Sequence, residues 1–549
     1  MDESSDCDQT WGRVRGFQAK RHCASARCGA PAATVCSESM PSPPLLPPLP
    51  PALSASLPAN LPDAPDALRA LARELDRTDR HDDAVAVYQR LLALQPGWLD
   101  GWYNLGQALW RARRFDDALA AYQRALDGGI TRPEEVHLNR SVLYAQHLAD
   151  PGAARHELDR ALALNPHYLP AWLNLGNLHE QAGDRVAAAD AYERVLVIDP
   201  RHALALSRLP NLRRLHDPQD PLIARLHQAL ADPRRHPAER ADLGFGLGKA
   251  LDDVGRHDDA FAAYGAANAA SRQAAGPAAR YDRAAHERHV DRLIATFTAP
   301  APARKGDPSQ APIFICGLFR SGSTLVERML AAHPRVTAGG ELDLLPAVAR
   351  KHLAPGADWT LLQDPTLLQA IADGYCADLA RRFPQADLLT DKRPDNVLHV
   401  GLIKTLFPSA RIVITRRHPL DNGLSMYFLH LGWSMAYALD LGDLGHWIAQ
   451  HERLVAHWCR VYGDDVHVVD YDALVADPEP PLRALLAFCG LGWDPACLAF
   501  HTTAGAVQTA SLWQVRQPLY RHASGRWRHY ARHLGPLRDA LGWPAGREV

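Results

Sequence analysis

The sequence predicts an N-terminal α-solenoid followed by a P-loop-like α/β domain with a parallel sheet. Three observations carry that expectation. An Ala/Leu-rich pattern repeats with a 34-residue step in the first half. After residue 312 strand-like and helix-like runs alternate. A glycine-bearing loop, Gly317 to Thr324, directly follows a short apolar run. At 549 residues the chain also exceeds what one core supports.

Residues 1–60 read as a Pro-rich segment without stable structure, because the prolines of 41–62 break any helix that their apolar neighbours would favour. Cys7, Cys23, Cys28 and Cys36 cluster there without C-x-x-C spacing, so no metal is expected. The remaining composition narrows the class. Lys+Arg 60 against Asp+Glu 62 leaves a net charge of -2, which argues against nucleic acid or a membrane surface as partner. No apolar run reaches the length of a membrane span, and no basic segment leads into an apolar one at the N-terminus. Nine cysteines, an odd count, fit free thiols in a reducing compartment, so a cytoplasmic location is expected.

Residues 61–205 form the repeat region. RHDDAVAVYQRLL (80–92) and RFDDALAAYQRAL (114–126) are near copies, with Tyr88 and Tyr122 34 residues apart, and Leu158 and Tyr192 continue the step. Trp102-x-x-Leu105-Gly106 and Trp172-x-x-Leu175-Gly176 precede the later copies, Ala118 and Ala188 supply a small position, and Pro96, Pro166 and Pro200 end units. An irregular helical insert with a partial unit, RHDDAFAAYGAAN (256–268), occupies 206–300, and a Pro/polar linker occupies 301–311. This pattern resembles the tetratricopeptide repeat, which implies stacked helix pairs whose aromatic positions are packing residues and whose groove takes peptides or proteins. A homodimer contact is the other use open to such an array.

In 312–549, Ile313–Cys316 reads as a buried strand, Thr324–Ala332 and Asn396–Phe407 as helices and Arg411–Thr415 as a second buried strand. Ligands of such a sheet sit at the carboxyl ends of its strands. Gly317, Gly322, Ser323 and Thr324 match G-x-x-x-x-G-K-[ST] except that Ser323 stands where the lysine belongs. Glycines let N–H groups close on phosphate oxygens, and the helix start adds its positive dipole end. The missing lysine and the absence of a clear second acidic strand disfavour an ATP-hydrolysing or kinase reading. Arg320 is the strong cation of the loop, and Arg417 followed by Ser425 offers a second anion site after the next strand.

Two phosphate sites without the lysine resemble the sulfotransferases that use 3′-phosphoadenosine 5′-phosphosulfate, and the whole chain resembles the bacterial tetratricopeptide-repeat sulfotransferases. Phe319-Arg320-Ser321-Gly322-Ser323-Thr324-Leu325 matches that family's P-R-S-G-T-T-L loop with Phe319 for proline and Ser323 for threonine, and Arg417 to Ser425 matches R-x-P-x-D-x-x-x-S. The resemblance implies that Arg320, Ser321, Gly322, Ser323 and Thr324 hold the 5′-phosphosulfate and that Arg417 and Ser425 hold the 3′-phosphate. Gly340-Glu341 resembles the family's G-E element and makes Glu341 the general base. Asp391-Lys392-Arg393-Pro394 resembles K-x-P and makes Lys392 the sulfuryl-steadying cation, with Arg320 as the third catalytic group. Tyr471-Asp472-x-Leu474 resembles Y-E-x-L and puts Tyr471 on adenine. Gly525-Arg526-Trp527 is similar to a closing G-x-W element, with Arg516 and Arg521 as weaker phosphate candidates. The implied partners are the phosphosulfate donor, used without a metal, and an acceptor hydroxyl on a peptide, protein, glycan, lipid or small phenol. The alternative from a different class is a non-catalytic nucleotide-binding repeat scaffold that assembles other proteins. His451-Glu452 is not a zinc-protease motif, since Val455 stands where the second histidine is needed.

Overall fold

The computed structural model describes residues 63–543 apart from 79, 149, 301–310, 355–356, 503–515 and 520–522. The Pro-rich segment with its four cysteines, nearly all of the linker, and Arg521 lie outside the described residues. The chain divides into two compact units, one ending at Leu178 and one beginning at His179.

The first unit is a row of helix pairs: Pro65–Arg77 with His81–Leu94, Leu99–Arg111 with Phe115–Asp127, and Pro133–Gln146 with Pro151–Leu164. The repeated aromatic and small positions build its core. Tyr88, Ala118, Tyr122 and Leu158 are buried. Gly106 is the small residue that admits the next helix, because a Cβ there would lie 2.5 Å from the Tyr122 ring. Trp102 and Trp172 each donate Nε1 to the carbonyl of the proline six residues earlier, Pro96 at 3.0 Å and Pro166 at 2.9 Å, tying a unit's first helix to the end of the preceding unit.

The second unit joins further helices to a five-stranded sheet. Its strands are β1 (Ile313–Gly317), β2 (Val336–Ala338), β3 (Leu388–Lys392), β4 (Ile412–Arg416) and β5 (Val466–Asp470). Their order is β2-β3-β1-β4-β5, parallel throughout. From central β1 the chain turns to one side for β2 and β3 and to the other for β4 and β5, which opens a crevice at the carboxyl ends around β1. Both faces are covered, as parallel sheets require. Phe314 and Cys316 pack with Ile412, Leu402 and Trp458 on one face. Ile313 and Ile315 pack with Val413, Val326 and Met329 on the other.

The helix expected over 396–407 begins instead as a 3-10 turn, Pro394–His399, before the α-helix Val400–Leu406. Trp458 Nε1 takes the Val397 carbonyl at 2.9 Å, and Asn396 turns its amide to Asp391. The helices that precede the linker are bonded into this same unit. Asn268 donates to the Tyr427 carbonyl at 2.9 Å, Arg453 pairs with Asp291 at 2.6 Å, and Tyr264 stacks on Phe428 with centroids 3.9 Å apart.

Candidate active site

Each strand delivers at its carboxyl end one of the residues singled out in the sequence: the Gly317–Gly322 loop after β1, Glu341 after β2, Lys392 as the last residue of β3, Arg417 after β4 and Tyr471 after β5. The β1 loop is shaped by three left-handed residues, Gly317 at φ 141, Arg320 at φ 69 and Gly322 at φ 106. Gly317 has no room for a side chain, because a Cβ would lie 2.4 Å from the Thr415 carbonyl oxygen. Gly322 is the residue before the helix Ser323–Ala331, and a Cβ there would meet the Tyr471 ring at 2.6 Å. Arginine rarely adopts φ near 69, so the fold forces Arg320 to the apex. From there its Nε donates to Ser425 Oγ at 3.2 Å, which brings the two anion motifs together.

Ser321 takes a different part from the ligand contact expected of it. It is fully buried, its Oγ bonds to the Leu318 carbonyl (2.5 Å) and Thr415 Oγ1 (2.6 Å), and its N–H also donates to Leu318. Its polar groups are thus spent on bracing the loop against β4. Asn422 adds a second brace by donating to the Phe319 carbonyl at 2.7 Å. Ser323 and Thr324 open the helix and are both buried.

Glu341 and Lys392 meet although 51 residues separate them, Nζ donating to Oε1 at 2.5 Å. The lysine side chain is 1% exposed and the carboxylate 16%. Beneath the pair lies Glu327, buried on the helix that follows the β1 loop, whose Oε1 accepts from Gly340 N–H (3.0 Å) and Thr390 Oγ1 (2.8 Å). Burial pushes the Glu327 carboxyl up, against the nearby Lys392 charge and these two bonds. Asp391 is fully buried and accepts from Tyr375 Oη (2.6 Å) and Asn396 Nδ2 (3.3 Å). Burial pushes it up to about 7, against these two bonds and the nearby Arg393 charge. β3 does supply an acidic strand end beside β1, which the sequence did not reveal. Its carboxylate is turned into this buried network.

Arg417 stacks its guanidinium 5.0 Å from the Tyr471 ring centre and donates to the carbonyls of Ala523 (2.6 Å) and Arg320 (3.4 Å). Its buried Nε has no bonding partner among the described residues. Burial pushes the Tyr471 hydroxyl up, against the nearby Arg417 and Arg320 charges. The closing element is held by acids of both neighbouring motifs. Asp421 accepts from Gly525 N–H (2.6 Å) and Trp527 N–H (2.8 Å), and Asp472 accepts from His418 N–H (2.8 Å) and Ser524 Oγ. His418 stacks on Trp527, rings 5.4 Å apart and nearly parallel. Two further arginines lead elsewhere. Arg526 pairs with Asp252 of the helix Pro237–Asp253, and Arg516 donates to the Gln181 carbonyl at 2.5 Å.

Glu327, Thr390, Asp421, Asn422 and Asp472 are among the residues of this region to which the sequence assigned no role. Asp421 lies within the R-x-P-x-D pattern and Asp472 beside Tyr471, whereas a single glutamate on an amphipathic helix carries no signal of its own. His457, the next histidine after His451-Glu452, is buried and bonds through Nε2 to the Phe297 carbonyl at 2.7 Å.

The description "Sulfotransferase family" matches residues 312–495, and tetratricopeptide repeats match 51–98, 69–133, 103–147 and 139–203. An uncharacterized protein of Aquifex aeolicus is 30% identical over 394 residues, 68% of this chain and 50% of that one. Protein-tyrosine sulfotransferase 1 of Danio rerio is 26% identical over 216 residues, 37% of this chain and 60% of the relative. The chain thus spans between half and two thirds of these relatives' length. The sulfotransferase domain of the Synechococcus PCC 7002 olefin synthase is 23% identical, covering 42% of this chain and 90% of that domain with a TM-score of 0.31. The chain thus carries a sulfotransferase-family domain over residues 312–495, with tetratricopeptide repeats on its N-terminal side.

Proposed function

We propose that this domain transfers a sulfuryl group from 3′-phosphoadenosine 5′-phosphosulfate to an acceptor hydroxyl. The observation that carries the reading is the Glu341–Lys392 pair at the same strand ends as Arg320, Ser425 and Arg417. A base and three cations then line one crevice. The buried Nε of Arg417, without a partner among the described residues, and the N–H groups opening the helix at Ser323 fit phosphate oxygens, and the Tyr471 ring against Gly322 offers an apolar face to a base. When bound, the donor supplies an electrophilic sulfur whose bond to the bridging phosphate oxygen breaks as the acceptor oxygen attacks.

Arg320, Arg417 and the Ser425 hydroxyl orient the phosphates and meet the negative charge that grows on the departing side. Lys392, held almost dry, holds its charge toward the transferring group. Glu341 takes the acceptor's proton once its contact with Lys392 loosens. The first acceptor to test is a peptide tyrosine, because the aligned relatives include protein-tyrosine sulfotransferases. The repeat unit is then the candidate for presenting the peptide.

The test is transfer of radiolabelled sulfate from the donor to tyrosine peptides and to a panel of phenols and glycans. Glu341→Gln should lower kcat about 10²–10⁴-fold with the affinity for 3′-phosphoadenosine 5′-phosphate kept. Failure of the wild-type protein to bind that product or the donor overturns the reading, and binding without transfer to any acceptor leaves the non-catalytic nucleotide-binding scaffold.

A further inference from the structure

Glu327 has no part in the chemistry above, yet it is a carboxylate 5% exposed inside the unit, and its bonds lead to both reacting side chains. One oxygen, Oε1, receives two donors, Gly340 N–H at 3.0 Å and Thr390 Oγ1 at 2.8 Å. Thr390 Oγ1 in turn accepts from Gly339 N–H at 3.2 Å, and the Gly340 carbonyl accepts from Lys392 N–H at 2.9 Å. The peptide units around Gly340 are therefore held on both sides, by Glu327 and Thr390 from below and by the backbone of Lys392 from β3. Gly340 is left-handed, φ 68, and immediately precedes Glu341. With that residue pinned, the direction in which Glu341 leaves the chain is set. β3 carries Thr390 and Lys392 two residues apart, so both side chains lie on one face of the strand.

We propose that Glu327 is a positioning residue of the transfer site: it sets the 339–341 turn and thereby holds Glu341 against Lys392. This rests on the sulfotransferase reading of the same crevice. This positioning requires an acceptor oxygen at one point, fixed by helix packing, and not a negative charge. Glutamine retains that oxygen and leucine does not. Burial, which pushes the Glu327 carboxyl up, favours a neutral group at this position and agrees with glutamine as a substitute.

The experiment has two arms on the full chain. In the first, amide hydrogen exchange is followed in peptides covering 338–343, with no substrate present. Glu327→Leu should accelerate exchange there about tenfold, and Glu327→Gln should leave it as in the wild type. Thr390→Val, which removes the second donor without changing side-chain shape, should fall between them. In the second arm, kcat and the dissociation constant for 3′-phosphoadenosine 5′-phosphate are measured. Glu327→Leu should lower kcat about 10²-fold with the product affinity within about twofold, and Glu327→Gln should restore most of the rate. Equal losses in the leucine and glutamine variants overturn the proposal, as does unchanged exchange in both Glu327→Leu and Thr390→Val. Should leucine unfold the protein, Thr390→Val and Glu327→Gln decide the matter. A wild-type chain without transfer activity sinks the functional reading alone, since the exchange arm still judges the positioning role.

Discussion

Glu157 in the repeat unit and Asp391 at the end of β3 are both buried carboxylates, and they depart from their ordinary pKa in opposite directions. Burial pushes Glu157 up, but His137 Nδ1 at 2.6 Å and Arg140 Nε at 2.8 Å outweigh it and leave the group below its ordinary value. Burial pushes Asp391 up to about 7, helped by the Glu327 charge and against the Tyr375 and Asn396 bonds and the Arg393 charge, none of which outweighs it. The contrast extends to the arginines. Arg140 gives its charge to an acid of its own unit. Among the described residues Arg417 donates to the backbone carbonyls of Ala523 and Arg320, and its buried Nε has no partner. The repeat unit sets a partly buried arginine against its own buried acid, whereas Arg417 at the sheet end leaves a buried donor without a partner among the described residues.

The sharpest test of that contrast deletes one arginine from each unit. Arg417→Ala should weaken binding of 3′-phosphoadenosine 5′-phosphate about 30-fold or more, measured by titration calorimetry, at little cost to the unfolding midpoint. Arg140→Ala should do the reverse. Stranding Glu157 destabilises the repeat unit by about 3 kcal/mol, seen in urea unfolding, while product binding is unchanged. Weakened product binding in Arg140→Ala would break the comparison.

The pH dependence of stability should carry opposite signs. Glu157 is lowered on folding, so its contribution is complete above its unfolded value, near 4.5, and is lost as pH falls through the folded value. Asp391 rises from 3.8 to about 7, so its contribution is complete below 3.8 and is lost as pH climbs toward 7. The wild type should therefore lose stability relative to Asp391→Asn as pH rises from 4 to 8, by up to about 3 kcal/mol. Relative to Glu157→Gln it should gain stability over the acid end of the same series. Urea midpoints across that pH range check both, and parallel trends would contradict the assignment.

A smaller effect separates two glycines that face tyrosine rings. A Cβ at Gly106 would lie 2.5 Å from Tyr122 and one at Gly322 would lie 2.6 Å from Tyr471. Gly106→Ala and Gly322→Ala should each cost about 1–3 kcal/mol of stability. Only the second, where φ is also 106, should weaken product binding. Thermal unfolding with and without 3′-phosphoadenosine 5′-phosphate distinguishes them.

Much of this was legible in the chain because it is local. A 34-residue step marks helix pairs since each pair must offer the next the same small and aromatic positions, as Gly106 and Tyr122 do. The loop from Gly317 to Thr324 is readable because phosphate geometry constrains consecutive residues. Strands β2 and β5 are short or partly exposed and show no clear apolar run, so periodicity did not reveal them. The partial repeat at 256–268 is visible as a copy of its predecessors. Its bonding into the sheet unit, through Asp252 to Arg526 and Asn268 to Tyr427, is not.

The sequence by itself determined the repeat array, the sheet class, and the residue types that an anion and a base require. Only the tertiary structure decided which of them meet. Arg320 reaches Ser425 across 105 residues, Lys392 reaches Glu341 across 51, and Asp421 holds Gly525 across 104. Those meetings follow from the strand order β2-β3-β1-β4-β5, which brings the carboxyl ends of distant strands to one crevice. Strand order is set by packing on both faces of the sheet at once, and so leaves no periodic trace in the chain.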